Sequence, residues 1–504
     1  MDELCKLSAL ELKTMMALKE IKPSEVMKVI LGRIEKVNPK LNAFCTWDPD
    51  SAMAQARKAD DLMARGKARG LLFGVPVSIK DLIFTKGIRT TFGSKMHENF
   101  VPERDEVVVE RLKAAGAIIL GKTTTCEFGY KAVTDSPLWG ITRNPWDLQM
   151  TPAGSSGGAA AAVASGLGPL AVGSDGGGSI RAPASFCGIF GLKPSRGRIP
   201  IYPLLAGWEA LDRRVAHLGP LTRTVADAAL MMEVMTGSDD RDPLSLPGKK
   251  ISFGRELMKG IRGFRIAWST DLGNTVADPL VRKAVESAVQ VFSELGAQVE
   301  EIKLDSPPMH DAFQLLFAAD CAGAIGNRLE EWKDRLDRGL GRLIEIGLKA
   351  SAADYARAVN RCHDFWDRLQ PFFDQYHLLL TPTLPVTPFP TGIDWPREVA
   401  GAKVHPLNYL AFTYPFNLTG QPAASVPCAW TTDGLPIGLQ IVGRRCDDLS
   451  VLKAAAAFEE AKPWRGKWPD INKGPAIISH ESANRELEKS PLRPPFFKRG
   501  GGGI

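Results

Sequence analysis

The stretch from Thr151 to Ser195 constrains the fold more than any other part of the chain, because glycine, serine and alanine dominate it. Two Gly/Ser loops, residues 154–158 and 173–179, flank an alanine-rich segment that predicts a short helix. Leu167 to Val172 then predicts a short buried strand. Glycine at this density permits positive φ angles and lets a ligand come close to the main chain. Since consecutive N–H groups of such a loop can converge on one negative oxygen, Ser179 is well placed to be a nucleophile.

Composition narrows the function classes that the chain can belong to. The 504 residues are 44% hydrophobic, which is ample for a large core. The net charge of +6 comes from 63 basic and 57 acidic residues, so we expect no nucleic-acid surface. The eight cysteines are scattered without a C-x-x-C pair, which is typical of reduced thiols in a cytoplasmic protein. No signal-peptide pattern is evident and the most apolar stretch, 158–173, is too short to cross a bilayer, so we expect no membrane association.

The first half of the chain predicts helices followed by a sheet. Residues 1–66 have helical periodicity, and Pro39 is expected to end the second helix. The sheet is expected to begin only with Val75 to Ile79, which places Lys80 at the carboxyl end of a strand. Open α/β sheets bind their ligands at that end, so residues 67–237 form the predicted catalytic core.

The second half predicts more helix and more charge. Residues 264–302 carry a strand, a helix and a strand, the pattern of a βαβ-like unit. Residues 308–376 are the most helical and charged part, and we expect them to set substrate specificity. The polar, Pro/Gly-rich composition of residues 469–504 predicts a disordered tail.

The ionisable residues favour a serine nucleophile with an unusual base. None of the seven histidines stands in a metal-binding spacing or in a Gly-rich motif. A zinc hydrolase and a Ser-His-Asp triad are therefore both unsupported. A buried lysine can act as base because burial depresses its pKa, and Lys80 follows an apolar run. From the residues alone, Lys80 is either such a base or a strand-end lysine paired with Asp81.

Several sequence blocks together resemble the amidase signature family of serine hydrolases. Residues 153–194 match its serine and glycine core almost without a gap, and residues 74–81, GVPVSIKD, resemble its lysine motif. Further blocks lie at 121–123, 144–146 and 417–443. The resemblance implies an α/β amidase signature fold, a mixed central β-sheet covered by α-helices on both faces, in a single domain over residues 1–468.

The resemblance also implies the catalytic residues. It assigns a Ser-Ser-Lys triad to Lys80, Ser155 and Ser179, with a cis peptide bond before Ser155 and no metal or cofactor. The expected oxyanion hole consists of the backbone N–H groups of Gly176, Gly177 and Gly178. The expected substrate-binding residues are Phe128, Gly129, Tyr130, Gly154 and Ser156.

Four neighbours of the triad invite a structural interpretation. Ser156 either hydrogen-bonds within the triad or serves the turn, and the sequence leaves the two open. Asp175 and Arg181 are expected to hold the loop together as a buried charge pair. Ala153 stands where the family usually has glycine, which is expected to alter the turn slightly.

The leading functional hypothesis is an amidase that hydrolyses the C–N bond of a small, non-peptide carboxamide. The alternative is the A subunit of a glutamine-dependent aminoacyl-tRNA amidotransferase. That branch usually has an acidic residue where this chain has Leu410, so a carboxylate for the ammonium group of free glutamine is missing. A nucleotide-binding loop at 173–179 would lack its Walker lysine, and a catalytically dead scaffold does not fit an intact triad. A homodimer is the expected assembly.

Overall fold

The computed structural model describes residues 3–203, 215–248, 251–304 and 308–471. Most of the predicted tail, from residue 472 onward, lies outside the described residues. Helices and strands are numbered separately in chain order. The helices α1 to α15 span Ala9–Ala17, Pro23–Leu41, Pro49–Ala64, Val107–Ala114, Gly157–Ala164, Arg181–Cys187, Val225–Met235, Phe253–Leu257, Pro279–Glu294, His310–Ile325, Leu329–Trp332, Arg338–Lys349, Ala352–Gln375, Pro415–Thr419 and Asp448–Ala461. The strands β1 to β15 span Phe44–Trp47, Pro76–Lys80, Ile118–Thr123, Asp135–Ser136, Gly140–Ile141, Leu170–Asp175, Phe190–Lys193, His217–Thr222, Arg265–Trp268, Gln298–Glu301, Leu378–Pro382, Glu398–Val399, Ala402–Lys403, Ala423–Trp430 and Pro436–Gly443.

One mixed sheet of 11 strands runs through the molecule, in the order β1-β3-β2-β6-β8-β7-β14-β15-β11-β9-β10. Strand β2 pairs in parallel with β3 and β6, whereas β8, β7, β14 and β15 pair antiparallel with their neighbours. Helices flank this sheet, and α6 and α9 pack against its central strands. The fold class predicted from the sequence, an α/β fold with a mixed central sheet, is confirmed.

Three neighbouring strands bring charged side chains to one edge of the sheet. Strands β3, β2 and β6 are parallel, so their carboxyl ends lie side by side. Lys80 ends β2, Lys122 lies near the end of β3, and Asp175 ends β6. The edge that holds Lys80 is therefore where the loops after all three strands meet, as the position of ligand sites in α/β sheets predicts.

Two expectations about the N-terminal region are wrong. Helix α2 continues past Pro39 to Leu41, because the chain turns only at Asn42, which has a left-handed conformation and donates its N–H to the Asn38 carbonyl at 2.7 Å. The sheet also begins earlier than residue 75. Strand β1, Phe44–Trp47, pairs antiparallel with β3 and forms one edge of the large sheet.

The βαβ-like unit predicted at 264–302 is confirmed. Strands β9 and β10 pair in parallel, and helix α9 connects them. Asp278 caps this helix by accepting the N–H of Leu280 at 2.8 Å, Pro279 occupies its first turn, and Gly296 at φ +86° follows its end. In the part of the chain that the structure describes, no helix combines the length and apolarity that a membrane span requires.

Candidate active site

Lys80 is fully buried at the end of β2 and contacts two serines. Its Nζ lies 2.7 Å from Oγ of Ser155 and 2.9 Å from Oγ of Ser174. Of the two interpretations left open by the sequence, the buried lysine is therefore the one that the structure supports. The Asp81 carboxylate instead accepts hydrogen bonds from the N–H and the hydroxyl of Thr91.

Burial governs the proton affinity of Lys80. Loss of hydration lowers the pKa of its amine from 10.5 to about 7, even though Cys126 and Asp175 act in the opposite direction. A lysine with this pKa is largely uncharged just above neutrality and can then accept a proton. Such a value is what a general base needs near the working pH of the cell.

The rate should follow the titration of Lys80. Because only the neutral amine accepts a proton, kcat/KM for an amide, the substrate class that the resemblance implies, should rise with pH through about 7 and level off above it. One unit below the pKa, roughly tenfold less activity is expected. A pH–rate profile of the wild-type enzyme between pH 5.5 and 9 measures this. A flat profile from pH 6 to 8 would contradict the assignment of Lys80 as base.

Ser155 and Ser156 occupy the turn that opens α5, and both are buried. The Gly154–Ser155 peptide bond is cis, as expected. Ser156 Oγ donates to the Ser174 carbonyl at 3.2 Å and accepts the Ser174 N–H at 3.3 Å. These bonds match the interpretation of Ser156 as a turn residue, and they hold the turn against β6, where Ser174 contacts Lys80.

Ser179 is the last residue of the second glycine loop and keeps part of its surface exposed, unlike its buried neighbours. Its carbonyl accepts the N–H of Ser156 at 3.2 Å, which ties the loop of the predicted nucleophile to the turn that carries Ser155. The three predicted triad residues therefore lie on adjoining segments. Two of them, Lys80 and Ser155, are in direct contact.

A buried ion pair fixes the shape of this loop. The Arg181 guanidinium contacts both carboxylate oxygens of Asp175 at 3.0 Å, as the sequence predicted. Asn417 binds the same carboxylate at 2.9 Å, and Arg181 also donates to Gln440 at 2.8 Å. Burial would raise the pKa of Asp175, but the Arg181 charge and these hydrogen bonds hold it well below its usual range.

The donors expected for an oxyanion need one correction. The N–H of Gly178 donates to Asp175 Oδ1 at 2.7 Å, so it does not point into the cavity as an open donor. Within the described residues, the N–H groups of Gly176, Gly177 and Ser179 have no hydrogen-bond acceptor. These three backbone groups are therefore the ones available to a developing negative charge.

A cavity of about 1000 Å³ opens over Ser179. The glycine loop forms its floor with Gly176 and Gly177, while helices α10 and α12 supply apolar wall residues that include Phe313 and Leu343. Both helices belong to the region 308–376 that the sequence predicted to shape specificity. Leu410 also lines the cavity, at the position where a carboxylate is missing.

The structure separates the five predicted substrate-binding residues into two groups. Gly129 and Tyr130 line the cavity. Phe128 does not, because its ring is buried and stacks on Phe92 with centroids 6.2 Å apart. Gly154 and Ser156 are also buried away from the cavity, the former against the backbone of Val133. Of the five, only Gly129 and Tyr130 therefore lie on the cavity surface.

An ion cluster that the sequence analysis missed forms another wall of the cavity. Lys131 Nζ lies within 3.0 Å of three carboxylates, those of Asp135, Asp337 and Asp394. The three carboxylates raise the pKa of Lys131 against the opposing effect of burial. Residues so far apart in sequence give no shared motif, so only the folded chain reveals the cluster. Among the residues described, no group of three or more His, Cys, Asp or Glu side chains is placed to hold a metal ion.

Comparisons with known proteins identify the family of this chain. The family model described as Amidase matches residues 25–452. An acylamidase of Rhodococcus erythropolis is 39% identical over 92% of this chain and 97% of its own length. The A subunit of the glutamyl-tRNA(Gln) amidotransferase of Geobacillus thermodenitrificans strain NG80-2 is 38% identical over 91% of this chain and 98% of its own. The crystal structure of a bacterial aryl acylamidase of the amidase signature family superimposes with a TM-score of 0.85 at 33% identity, over 91% of this chain and 96% of that one.

The protein belongs to the Amidase family, that of the amidase signature enzymes. The resemblance drawn from the sequence is thereby confirmed, and so is the prediction of an amidase that hydrolyses amide C–N bonds.

Proposed function

We propose that this amidase hydrolyses a small, non-peptide carboxamide through an acyl-enzyme on Ser179. The observation that carries the proposal is the fully buried Lys80, whose amine lies 2.7 Å from the Ser155 hydroxyl. A neutral lysine at that distance can accept the serine proton, and a relay of this kind activates a second serine without histidine. The substrate is a small molecule, and we further propose that the enzyme works as a cytoplasmic homodimer.

Acylation follows from this geometry. Neutral Lys80 accepts the proton of Ser155 while Ser155 takes the proton of Ser179, so that Ser179 Oγ forms a bond to the carbonyl carbon. The carbonyl oxygen of the substrate becomes negative, and the N–H groups of Gly176, Gly177 and Ser179 are the donors proposed to stabilise it. Each such donor is typically worth about 3 kcal/mol. As the carbonyl re-forms, the C–N bond breaks and the proton returns through Ser155 to the leaving nitrogen.

Deacylation reverses the same proton path. A water molecule gives its proton to Ser155, whose own proton passes to Lys80, and the water oxygen attacks the ester carbonyl of Ser179. The C–O bond to Ser179 then breaks, and the relay returns the proton to its hydroxyl. The products are a carboxylic acid and an amine or ammonia, and the enzyme regains its starting state.

The A subunit of an amidotransferase remains the second candidate, because this chain is 38% identical to one such protein. Leu410 disfavours it. Its side chain lines the cavity beside the glycine loop, 3.3 Å from where a Cβ on Gly178 would lie. An apolar group at this place offers no partner to the ammonium group of free glutamine.

Labelling with a fluorophosphonate probe tests the proposal directly. The probe should react with the wild-type protein and fail to react with the Ser179→Ala variant, because only an activated serine attacks the phosphorus. The same protein should release amine from simple anilides without added glutamine or tRNA. Wild-type protein that neither labels nor hydrolyses, yet is folded by circular dichroism, would contradict the proposal.

A further inference from the structure

A second cavity lies behind the wall of the first. Its volume is about 190 Å³, and Phe313 and Phe317 line both cavities. The two phenylalanines are one turn apart on α10, and their ring centroids are 5.7 Å apart. These two rings are therefore the partition between the space over Ser179 and the space behind it.

Phe313 is the fixed half of this partition. Its ring stacks on Tyr414 with centroids 4.7 Å apart, and its Cζ lies 2.8 Å from where a Cβ on Gly177 would be. The Tyr414 hydroxyl is in turn 2.9 Å from His310 Nδ1. Because Phe313 supports the glycine loop itself, changing it would disturb the loop that carries the nucleophile.

Phe317 is less constrained. It is only partly buried, and in the described part of the chain its one aromatic neighbour within ring-stacking range is Phe313. It lies one turn further along α10, away from the contact with Gly177. Removing its ring would join the two cavities while leaving the support of the glycine loop in place.

The second cavity has the character of an extension for an apolar group. Leu316, Val359 and Trp366 contribute apolar surface to it, together with Leu418. Polar and charged side chains also line it, among them Arg196, Asp320 and Arg445. An alkyl or aryl group that passed Phe317 would therefore exchange water for apolar contacts along part of this lining.

We propose that Phe317 limits the length of the apolar arm that the amide substrate carries, and that the cavity behind it is an unused extension of the substrate site. This inference rests on the proposed amidase function. In the wild-type enzyme, substrates with short arms fit over Ser179 and longer arms meet the Phe317 ring. The class of substrate is thus a carboxamide whose alkyl or aryl arm ends at this ring.

The test compares two series of substrates in the wild type and in Phe317→Ala. One series lengthens the straight-chain acyl group of a p-nitroanilide, and the other lengthens the N-alkyl group of an acetamide. In one series, Phe317→Ala should shift the arm length that gives the highest kcat/KM to longer arms. For the long members, kcat/KM should rise at least about tenfold, mainly through a lower KM. The series that responds shows which side of the carbonyl faces the partition.

Two further variants make the test specific. Phe264→Ala removes a partly buried phenylalanine that stacks on His377 and lines neither cavity, and it should leave the optimum unchanged. Val359→Phe added to Phe317→Ala should refill the second cavity and restore the short optimum.

The outcomes separate the two proposals. If Ser179 labels and substrates are hydrolysed but Phe317→Ala changes neither optimum, the partition is overturned and the amidase proposal stands. An optimum that shifts equally in Phe264→Ala also overturns it, since the effect would not come from the cavity. Loss of both labelling and hydrolysis in the wild type overturns the amidase proposal, and the inference about Phe317 with it.

Discussion

Replacing Ser179 by alanine is expected to lower kcat for an anilide substrate by roughly 10⁴- to 10⁶-fold, the largest effect of any single change in the chain. The variant has no oxygen to form the acyl-enzyme, while the backbone N–H groups around it remain. Binding should change little, so KM should stay within a few-fold of the wild type. Steady-state kinetics at pH 8, where Lys80 is mostly neutral, measures the effect.

The triad residues should not act independently. Lys80→Ala in the wild type is expected to cost several orders of magnitude, but the same change in a Ser179→Ala background should cost little more, because the relay has no nucleophile to serve. Ser165→Ala is a suitable control. Ser165 follows the end of α5, the helix that begins after Ser155. Its hydroxyl is buried but has no hydrogen-bond partner within the described residues, so wild-type rates are expected. Multiplicative losses in the double variant would contradict the relay.

The parts of the site that the sequence predicted lie in short motifs. The residues alone left the role of Lys80 open, and the resemblance of the lysine and serine blocks to the amidase signature family assigned all three triad residues. The βαβ-like unit was equally accessible because Asp278, Pro279 and Gly296 mark the ends of its helix. For this unit, the local signals at the helix ends were enough.

The parts that the sequence did not predict depend on contacts that form only in the folded chain, some between neighbours in sequence and some between distant residues. Phe128 was predicted to bind substrate, but its ring is buried and stacks on Phe92. The Gly178 N–H looked free until the folded loop placed Asp175 Oδ1 against it. The cluster around Lys131 joins carboxylates up to about 260 residues away, and such pairings leave no periodicity to read.

Replacing Arg181 by methionine is expected to lower the free energy of unfolding by about 3–5 kcal/mol. The arginine and its partner Asp175 are both fully buried, and the variant would leave the carboxylate without its counter-charge. Asn417 and two backbone N–H groups would still bind it, so the protein should fold, although less stably. Urea denaturation followed by tryptophan fluorescence measures the loss, and an unchanged m-value would indicate that the change lies in stability alone.

The matched control is Arg357→Met, which breaks an ion pair with Asp354 on the surface. Both of these side chains are well exposed, at 68% and 40%, so solvent already screens the pair and no measurable change in stability is expected. Adding Asp175→Asn to Arg181→Met should restore part of the lost free energy of unfolding, because burying a neutral amide costs less free energy than burying an unpaired carboxylate. If the two arginine variants were equally stable, the buried pair would contribute nothing beyond a surface pair, and the glycine loop would have to be held by Asn417 and the backbone alone.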